Sequence, residues 1–355
     1  MSIVERARPE IQALSPYSAA VQVTDTIRLN ANEAPWTSGS DQFRRPLNRY
    51  PEVRPSTLRE LLAERFGCNP AQLLVTRGSS EAIDLLIRSF CSAGSDNIVT
   101  AEPSFSMYSH YAVIQGVDCR TVPLDPSDDF RFDVPRVLQA CDADTKLVFA
   151  CSPNNPTGTL VPRETLLDLA KALGGRAAVV VDEAYIEFAA APSMVDALDE
   201  HDNLVVLRTL SKALAFAGAR CGAVMGPDDV VAMLNAVQAP YALATPVVEC
   251  VEDAFEAQRL AESEDRVRTI VNERERLVAA LARSDAIEHV WPSDANFLLV
   301  RCGDVDGLLK KTREAKVLLR YFGGPLADCV RITVGTHEEN DRLLECLEGL
   351  QGDSR

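Results

Sequence analysis

The period of the apolar positions changes along the chain, and each change marks an element. Residues 73–76, 146–150, 178–182 and 204–208 form short runs that are almost continuously apolar and rich in valine and leucine. Runs of that length and character predict strands buried on both faces. After the first of them, Ala82, Ile83, Leu86, Ile87 and Phe90 recur at helical spacing and predict a helix over 81–91. Buried strands alternating with helices imply an α/β fold with a mostly parallel central sheet covered by helices. Ahead of this, Pro9, Pro16, Pro35 and Pro46 interrupt any long element, so residues 1–50 read as an irregular arm. Residues 51–245 then form a large domain. Beyond it the pattern shifts: 247–281, rich in Glu and Arg, predicts one or two long helices. Strands at 296–301 and 330–334 and helices near 305–316 and 338–349 follow. Residues 246–355 therefore predict a smaller C-terminal α/β domain, packed with the N-terminal arm.

The composition narrows the function classes. With 355 residues, 46% hydrophobic and 25% charged, the chain has the make-up of an ordinary globular protein. A formal net charge of −16 argues against a nucleic-acid binder, which needs a basic surface. No apolar stretch is long enough for a membrane span, and the first residues lack the apolar core of a secretory signal. Ten cysteines are present, but Cys91, Cys151, Cys221, Cys250, Cys302 and Cys329 lie in apolar runs and no C-x-x-C pair occurs. They read as small buried hydrophobes, kept reduced in a cytoplasmic protein. His110, His201, His289 and His337 are scattered, without the spacing of metal ligands.

Four segments at or near the ends of predicted strands carry candidate chemistry, and open α/β sheets bind ligands at those ends. In Thr76-Arg-Gly-Ser-Ser-Glu81, Ser79 and Ser80 begin a helix and can either hold a phosphate or simply cap the helix. The loop Cys151-Ser-Pro-Asn-Asn-Pro-Thr-Gly158 aims Asn155 from the end of a strand, although the same residues also make ordinary turns. Asp182 ends a run of buried valines and needs a partner, because an unpaired buried carboxylate is costly; a protonated ring nitrogen is one, the N-terminus of a following helix another. Tyr185 lies within reach of the same ligand. In Leu207-Arg-Thr-Leu-Ser-Lys212, a lone lysine follows an apolar strand, where desolvation lowers its basicity and favours imine chemistry; the alternative is a surface lysine. Ser211 and Arg220 add a hydroxyl and a cation suited to phosphate. A phosphate cradle, a ring-oxygen donor, a ring-nitrogen acid and an imine lysine are together what pyridoxal phosphate requires.

The segments also resemble the fold-type I, pyridoxal-phosphate-dependent aminotransferases, and among them the histidinol-phosphate aminotransferase family. The resemblance runs in family order through Leu29-Asn-Ala-Asn-Glu33, Asn48-Arg-Tyr-Pro51, the Thr76 segment, Ser152-Pro-Asn-Asn-Pro-Thr-Gly158 and Asp182-Glu-Ala-Tyr-Ile-Glu-Phe188. It continues in Arg208-Thr-Leu-Ser-Lys212, Ala239-Pro-Tyr241, Ala295-Asn-Phe297 and Val330-Arg-Ile-Thr-Val-Gly-Thr336. It implies Lys212 as the Schiff-base lysine, Asp182 as partner of the pyridinium nitrogen, and Asn155 and Tyr185 as donors to the ring oxygen. Tyr108 would stack on the ring. Ser79, Ser80, Thr209, Ser211 and Arg220 would hold the cofactor, joined by Tyr50 from the partner subunit of a homodimer. Tyr17, Asn32, Arg320 and Arg331 would meet the substrate. The family often has Asp or Asn where Ser80 stands, and the stretch from Tyr321 to Asp328 varies within it. The resemblance further implies a cis Asn155–Pro156 bond.

The implied reaction is reversible amino transfer between histidinol phosphate and 2-oxoglutarate, giving imidazole-acetol phosphate and glutamate, a step of histidine biosynthesis. Lys212 would move the proton at the substrate α-carbon. The nearest rivals keep the cofactor residues: an aromatic aminotransferase, or a related enzyme acting on a phospho-amino acid. A cofactor-binding transcriptional regulator would need a DNA-binding domain and a basic patch, and the chain has neither. Val330, Ile332 and Val334 alternate with Arg331 and Thr333, which turns Arg331 away from the apolar face of its strand.

Overall fold

The computed structural model describes residues 2–20, 22 and 26–348. Seven strands form the larger sheet: β1 (Leu73–Thr76), β2 (Asn97–Glu102), β3 (Asp118–Pro123), β4 (Thr145–Cys151), β5 (Ala178–Asp182), β6 (Leu204–Thr209) and β7 (Gly222–Met225). Their order is β1-β7-β6-β5-β4-β2-β3. All neighbours are parallel except β7, which runs antiparallel to both β1 and β6. Every residue of β5, β6 and β7 is buried, as their continuous apolar runs require. The side chains alternate between two cores. Val148, Ala150, Val179, Val181, Leu204 and Val206 enter one, and Leu147, Phe149, Val180, Val205 and Leu207 enter the other.

The second sheet contains β8 (His289–Val290), β9 (Phe297–Arg301), β10 (Arg320–Gly323) and β11 (Leu326–Thr333), in the antiparallel order β10-β11-β9-β8. Leu298, Val300, Val330 and Ile332 pack on Leu277, Leu308 and Leu343 of three covering helices: Ala257–Leu281, Val305–Glu314 and His337–Glu348. The opposite face turns toward the larger sheet, where Leu299 and Cys329 share a core with Val148. The helical region expected over 247–281 divides into Thr245–Ala254 and Ala257–Leu281. β11 starts earlier than expected, because the stretch from Tyr321 to Asp328 folds as the hairpin between β10 and β11. That hairpin sets Arg320 opposite Arg331.

Among its described residues the arm is irregular apart from a short 3-10 turn at Ile3–Arg6 and a helical turn at Pro9–Gln12. Its beginning lies on the larger sheet, where Ile3 and Ala7 are buried in the core beside Phe90. Its end reaches the helix Thr245–Ala254, where Arg44 and Arg45 bond Asp253 and Glu252. The arm thus touches the larger sheet at its beginning and, through Glu252 and Asp253, the first helix of the region 246–355 at its end. All ten cysteines are unpaired; Cys250 is exposed on its helix, contrary to the buried position its apolar neighbours suggested. No described helix is long and apolar enough to cross a membrane.

Candidate active site

The parallel strands β4, β5 and β6 end together and deliver Cys151, Asp182 and Thr209 to the floor of a cavity of about 310 Å³. Ser79, Ser80, Asn155, Tyr185, Ser211, Lys212, Arg220 and Arg331 join them in its lining. Ten of the fifteen residues singled out from the sequence therefore converge on one space, although they are drawn from 79 to 331 along the chain.

One end suits a phosphate. The helix Ser79–Phe90 starts at Gly78 with no side-chain cap bond, so the serine hydroxyls are not spent as caps. Its free N–H groups and dipole favour an anion there. Gly78 has φ +75°, and a Cβ on it would come within 2.9 Å of Arg220 Nη2; only glycine lets the guanidinium lie against this turn. Arg220 Nη1 donates to Ser211 Oγ at 3.4 Å, and Thr209 Oγ1 lies 2.9 Å from the same hydroxyl. Two serines, a hydroxyl pair and a guanidinium thus surround the helix start.

The middle carries an acid, an amine and a phenol. Asp182 is 2% exposed, and burial pushes its carboxyl up to about 6 despite the donors around it. Lys212 Nζ stands 5.4 Å from the centre of the Tyr185 ring. Burial and the nearby Arg331 charge lower its basicity, while Asp182 acts in the opposite sense. Burial holds the Tyr185 phenol protonated.

At the other end stands Arg331, on the face of β11 that looks away from the helices, as the alternation of 330–334 predicted. Its Nη1 donates to Asn155 Oδ1, and its guanidinium lies over Phe297 and Phe322 at 5.0 and 5.4 Å. Its Nε is buried without a partner. The Asn155–Pro156 bond is cis, as expected. Gly158, with φ +82°, brings this loop to the small-sheet segment: a Cβ there would lie 3.0 Å from Ser293 Cα. The close approach joins Asn155 and Arg331 across the two sheets.

Tyr108 requires correction. It does not stack over the cavity: it is fully buried, on the inner face of the helix Met107–Gln115 with Ala112, and it stacks on Phe149 of β4. Positions four apart on a helix share a face, and this face meets the sheet. Besides Tyr185, the aromatic side chain that lines the cavity is Phe105, just ahead of the helix. The sequence reading missed it; its signal was an aromatic between Pro103 and the helix start. Cys151, a second lining residue not singled out, had no signal beyond ending a strand.

Tyr17, Asn32, Tyr50 and Arg320 do not line this cavity. Tyr50 is 50% exposed and stacks on Tyr241 at 4.6 Å, while Tyr17, 58% exposed, meets Tyr241 edge-on at 6.5 Å. Asn32 sits in an exposed left-handed turn with φ +55°. Next to it, Glu33 is held by Arg28, Arg49 and the Tyr50 N–H at 2.6, 2.8 and 2.9 Å. Arg320 is exposed beside Phe322, close enough for its charge to depress the basicity of Arg331.

The donor set fits pyridoxal phosphate: an uncapped helix start for the phosphate, a buried acid without a salt bridge for the ring nitrogen, and an amine of lowered basicity between them.

The comparisons with known proteins agree. Residues 24–347 match the model of the family "Aminotransferase class I and II". A histidinol-phosphate aminotransferase of Xylella fastidiosa is 43% identical, over 99% of this chain and 97% of its own. One from Stenotrophomonas maltophilia is 42% identical, over 97% and 96%. Among solved structures, histidinol-phosphate aminotransferase from Sinorhizobium meliloti in complex with pyridoxal-5'-phosphate has a TM-score of 0.77 at 25% identity, covering 86% of this chain and 84% of that one. By its matched length, its near-full-length relatives and its fold, the chain belongs to the class I and II aminotransferase family.

Proposed function

We propose that this protein is a histidinol-phosphate transaminase, which uses pyridoxal phosphate to transfer an amino group reversibly between L-histidinol phosphate and 2-oxoglutarate, giving imidazole-acetol phosphate and L-glutamate. One observation carries the reading: a single cavity holds an amine of lowered basicity and a buried acid between two cationic ends, the Arg220 cradle and Arg331. The near-full-length relatives supply the substrate.

When bound, pyridoxal phosphate supplies an aldehyde carbon and an electron-withdrawing ring that stabilises negative charge at the substrate α-carbon. The phosphate belongs in the cradle of Ser79, Ser80, Ser211, Thr209 and Arg220. Asp182 holds the ring nitrogen, and Tyr185 and Asn155 face the ring oxygen. Phe105 is the aromatic wall in the place first given to Tyr108. Lys212 Nζ, its basicity lowered by burial and by Arg331, takes the proton from the α-carbon and returns it. Arg331 offers a two-pronged donor that suits a phosphate or a carboxylate, so one residue serves both half-reactions. Its bond to Asn155 fixes where that fork lies.

The protein acts as a homodimer in this reading. Tyr50 is half exposed and outside the cavity, and the arm exposes Ile27, Leu29 and Trp36, apolar side chains that a second copy would cover. Ten unpaired cysteines support a reducing, cytoplasmic setting. Turnover with 2-oxoglutarate should strongly favour histidinol phosphate over histidinol and phenylalanine. A preference for phenylalanine would assign the protein to the aromatic aminotransferases instead.

A further inference from the structure

Tyr108 has no exposed surface and no place in the cavity, yet it carries a hydroxyl into the core. Its ring is stacked on Phe149 at 4.7 Å and 17°, and Phe105 meets it edge-on at 5.8 Å and 87°. A phenylalanine would fill the same space. Burying the extra hydroxyl costs free energy unless it finds a partner, so packing alone does not account for the tyrosine. The partner is Asp182: the phenol donates to Oδ2 at 2.8 Å, while the Ala184 N–H reaches Oδ1 at 3.2 Å. Each carboxylate oxygen has one donor from beneath, which fixes the rotation of the group. Burial and the neighbouring carboxylate keep the phenol protonated, so toward Asp182 it acts as a donor.

We propose that Tyr108 is the positioning residue of the site: from within the core it holds Asp182 ionised and oriented for the ring nitrogen of the cofactor. This rests on the cofactor placement given above. Without that hydrogen bond, a carboxylate already disfavoured by burial loses a donor and takes up a proton more readily. A neutral acid pairs poorly with a cationic ring nitrogen. The packing of the ring against Phe105 and Phe149 is unaffected by loss of the hydroxyl, so the effect belongs to one atom pair.

The test compares equilibrium binding of pyridoxal phosphate with that of its deaza analogue, which has carbon in place of the ring nitrogen. Reconstitution of the full-length protein, followed by absorbance, gives both dissociation constants, and thermal unfolding reports on folding. Asp182→Asn must first weaken pyridoxal phosphate more than the analogue; if it does not, the placement of the cofactor is wrong. Given that, Tyr108→Phe should weaken pyridoxal phosphate about ten- to a hundredfold, the range for a hydrogen bond to a charged group. Binding of the analogue should stay at the wild-type level. Equal weakening of both ligands, or no change in either, overturns the proposal. Should Tyr108→Phe unfold because it orphans a buried carboxylate, the double variant with Asp182→Asn removes that charge. It should bind pyridoxal phosphate as Asp182→Asn alone does, and any further loss likewise overturns the proposal.

Discussion

The floor of the cavity and the exposed residues outside it are built on different principles. On the floor, Cys151, Asp182 and Thr209 project from the buried ends of neighbouring strands, each no more than 6% exposed and locked in a sheet packed on both faces. Outside the cavity, Tyr17, Asn32, Tyr50 and Arg320 sit exposed on the arm and on a hairpin. The floor needs only one chain, because parallel strands that end together bring their terminal residues together whatever connects them. The exposed residues are held instead by contacts between segments, such as Tyr17 and Tyr50 against Tyr241. The buried groups therefore sit on rigid structure, and the exposed ones on parts assembled around it.

The largest effect should come from the floor. Lys212→Ala should lower turnover at least by the roughly 10²–10⁴-fold typical of a positioned general base. Borohydride treatment of the yellow wild-type enzyme should fix the cofactor on the peptide containing Lys212; labelling of another lysine would remove it from this role. At the far end of the cavity, Arg331→Ala should cost about ten- to a hundredfold in kcat/KM in both half-reactions, with cofactor affinity retained. If only one half-reaction suffers, Arg331 does not serve both substrates. The proposed dimer gives a sharper contrast. Tyr50→Ala and Lys212→Ala, mixed in equal amounts and allowed to exchange, should recover up to roughly a quarter of wild-type sites, since half the dimers are mixed and one site in each escapes both lesions. No recovery after verified exchange would place Tyr50 in its own chain's site.

The smallest effect lies away from the cavity, where Glu273 joins two helices that cover the small sheet. Its carboxylate accepts from Arg276 at 2.8 Å, Asn340 at 2.8 Å and His337 Nδ1 at 2.9 Å, and these contacts, Arg276 first, hold it down at about 2. A lowered carboxyl contributes stability above its ordinary value near 4.5 and loses it as the pH falls toward about 2. Glu273→Gln should destabilise the protein by about 1 kcal/mol or less at neutral pH, given how near the surface the cluster lies, and by nothing near pH 2. Thermal midpoints across that range check the sign. Asp182 moves the other way, because its deeper burial outweighs its hydrogen bonds and the Lys212 charge.

Much of the floor was legible in the sequence. Unbroken runs such as 178–182 announce strands buried on both faces, and β5 begins and ends where its run does. The residues that end those runs, or closely follow them, became the cavity lining. Arg331 was legible for a second reason: a strand alternates strictly, so the apolar character of Val330, Ile332 and Val334 determined the direction of the residue between them. Strands without such patterns, β3 and β10 among them, were not seen. β3 is half exposed and mixed in character, and β10 is a four-residue edge paired only with β11.

By itself, then, the sequence determined the architecture of buried strand ends, the lysine and acid placed there, and the face on which Arg331 lies, because these follow from local period and burial. Only the tertiary structure decided between Phe105 and Tyr108. Both aromatics lie in one short segment, and their directions depend on where the helix begins and which of its faces meets the sheet. It also decided that Asn155 and Arg331 touch, although 176 positions separate them. Both are matters of the phase and docking of whole elements. Those are set by packing the two sheets together, and no stretch of sequence carries that information alone.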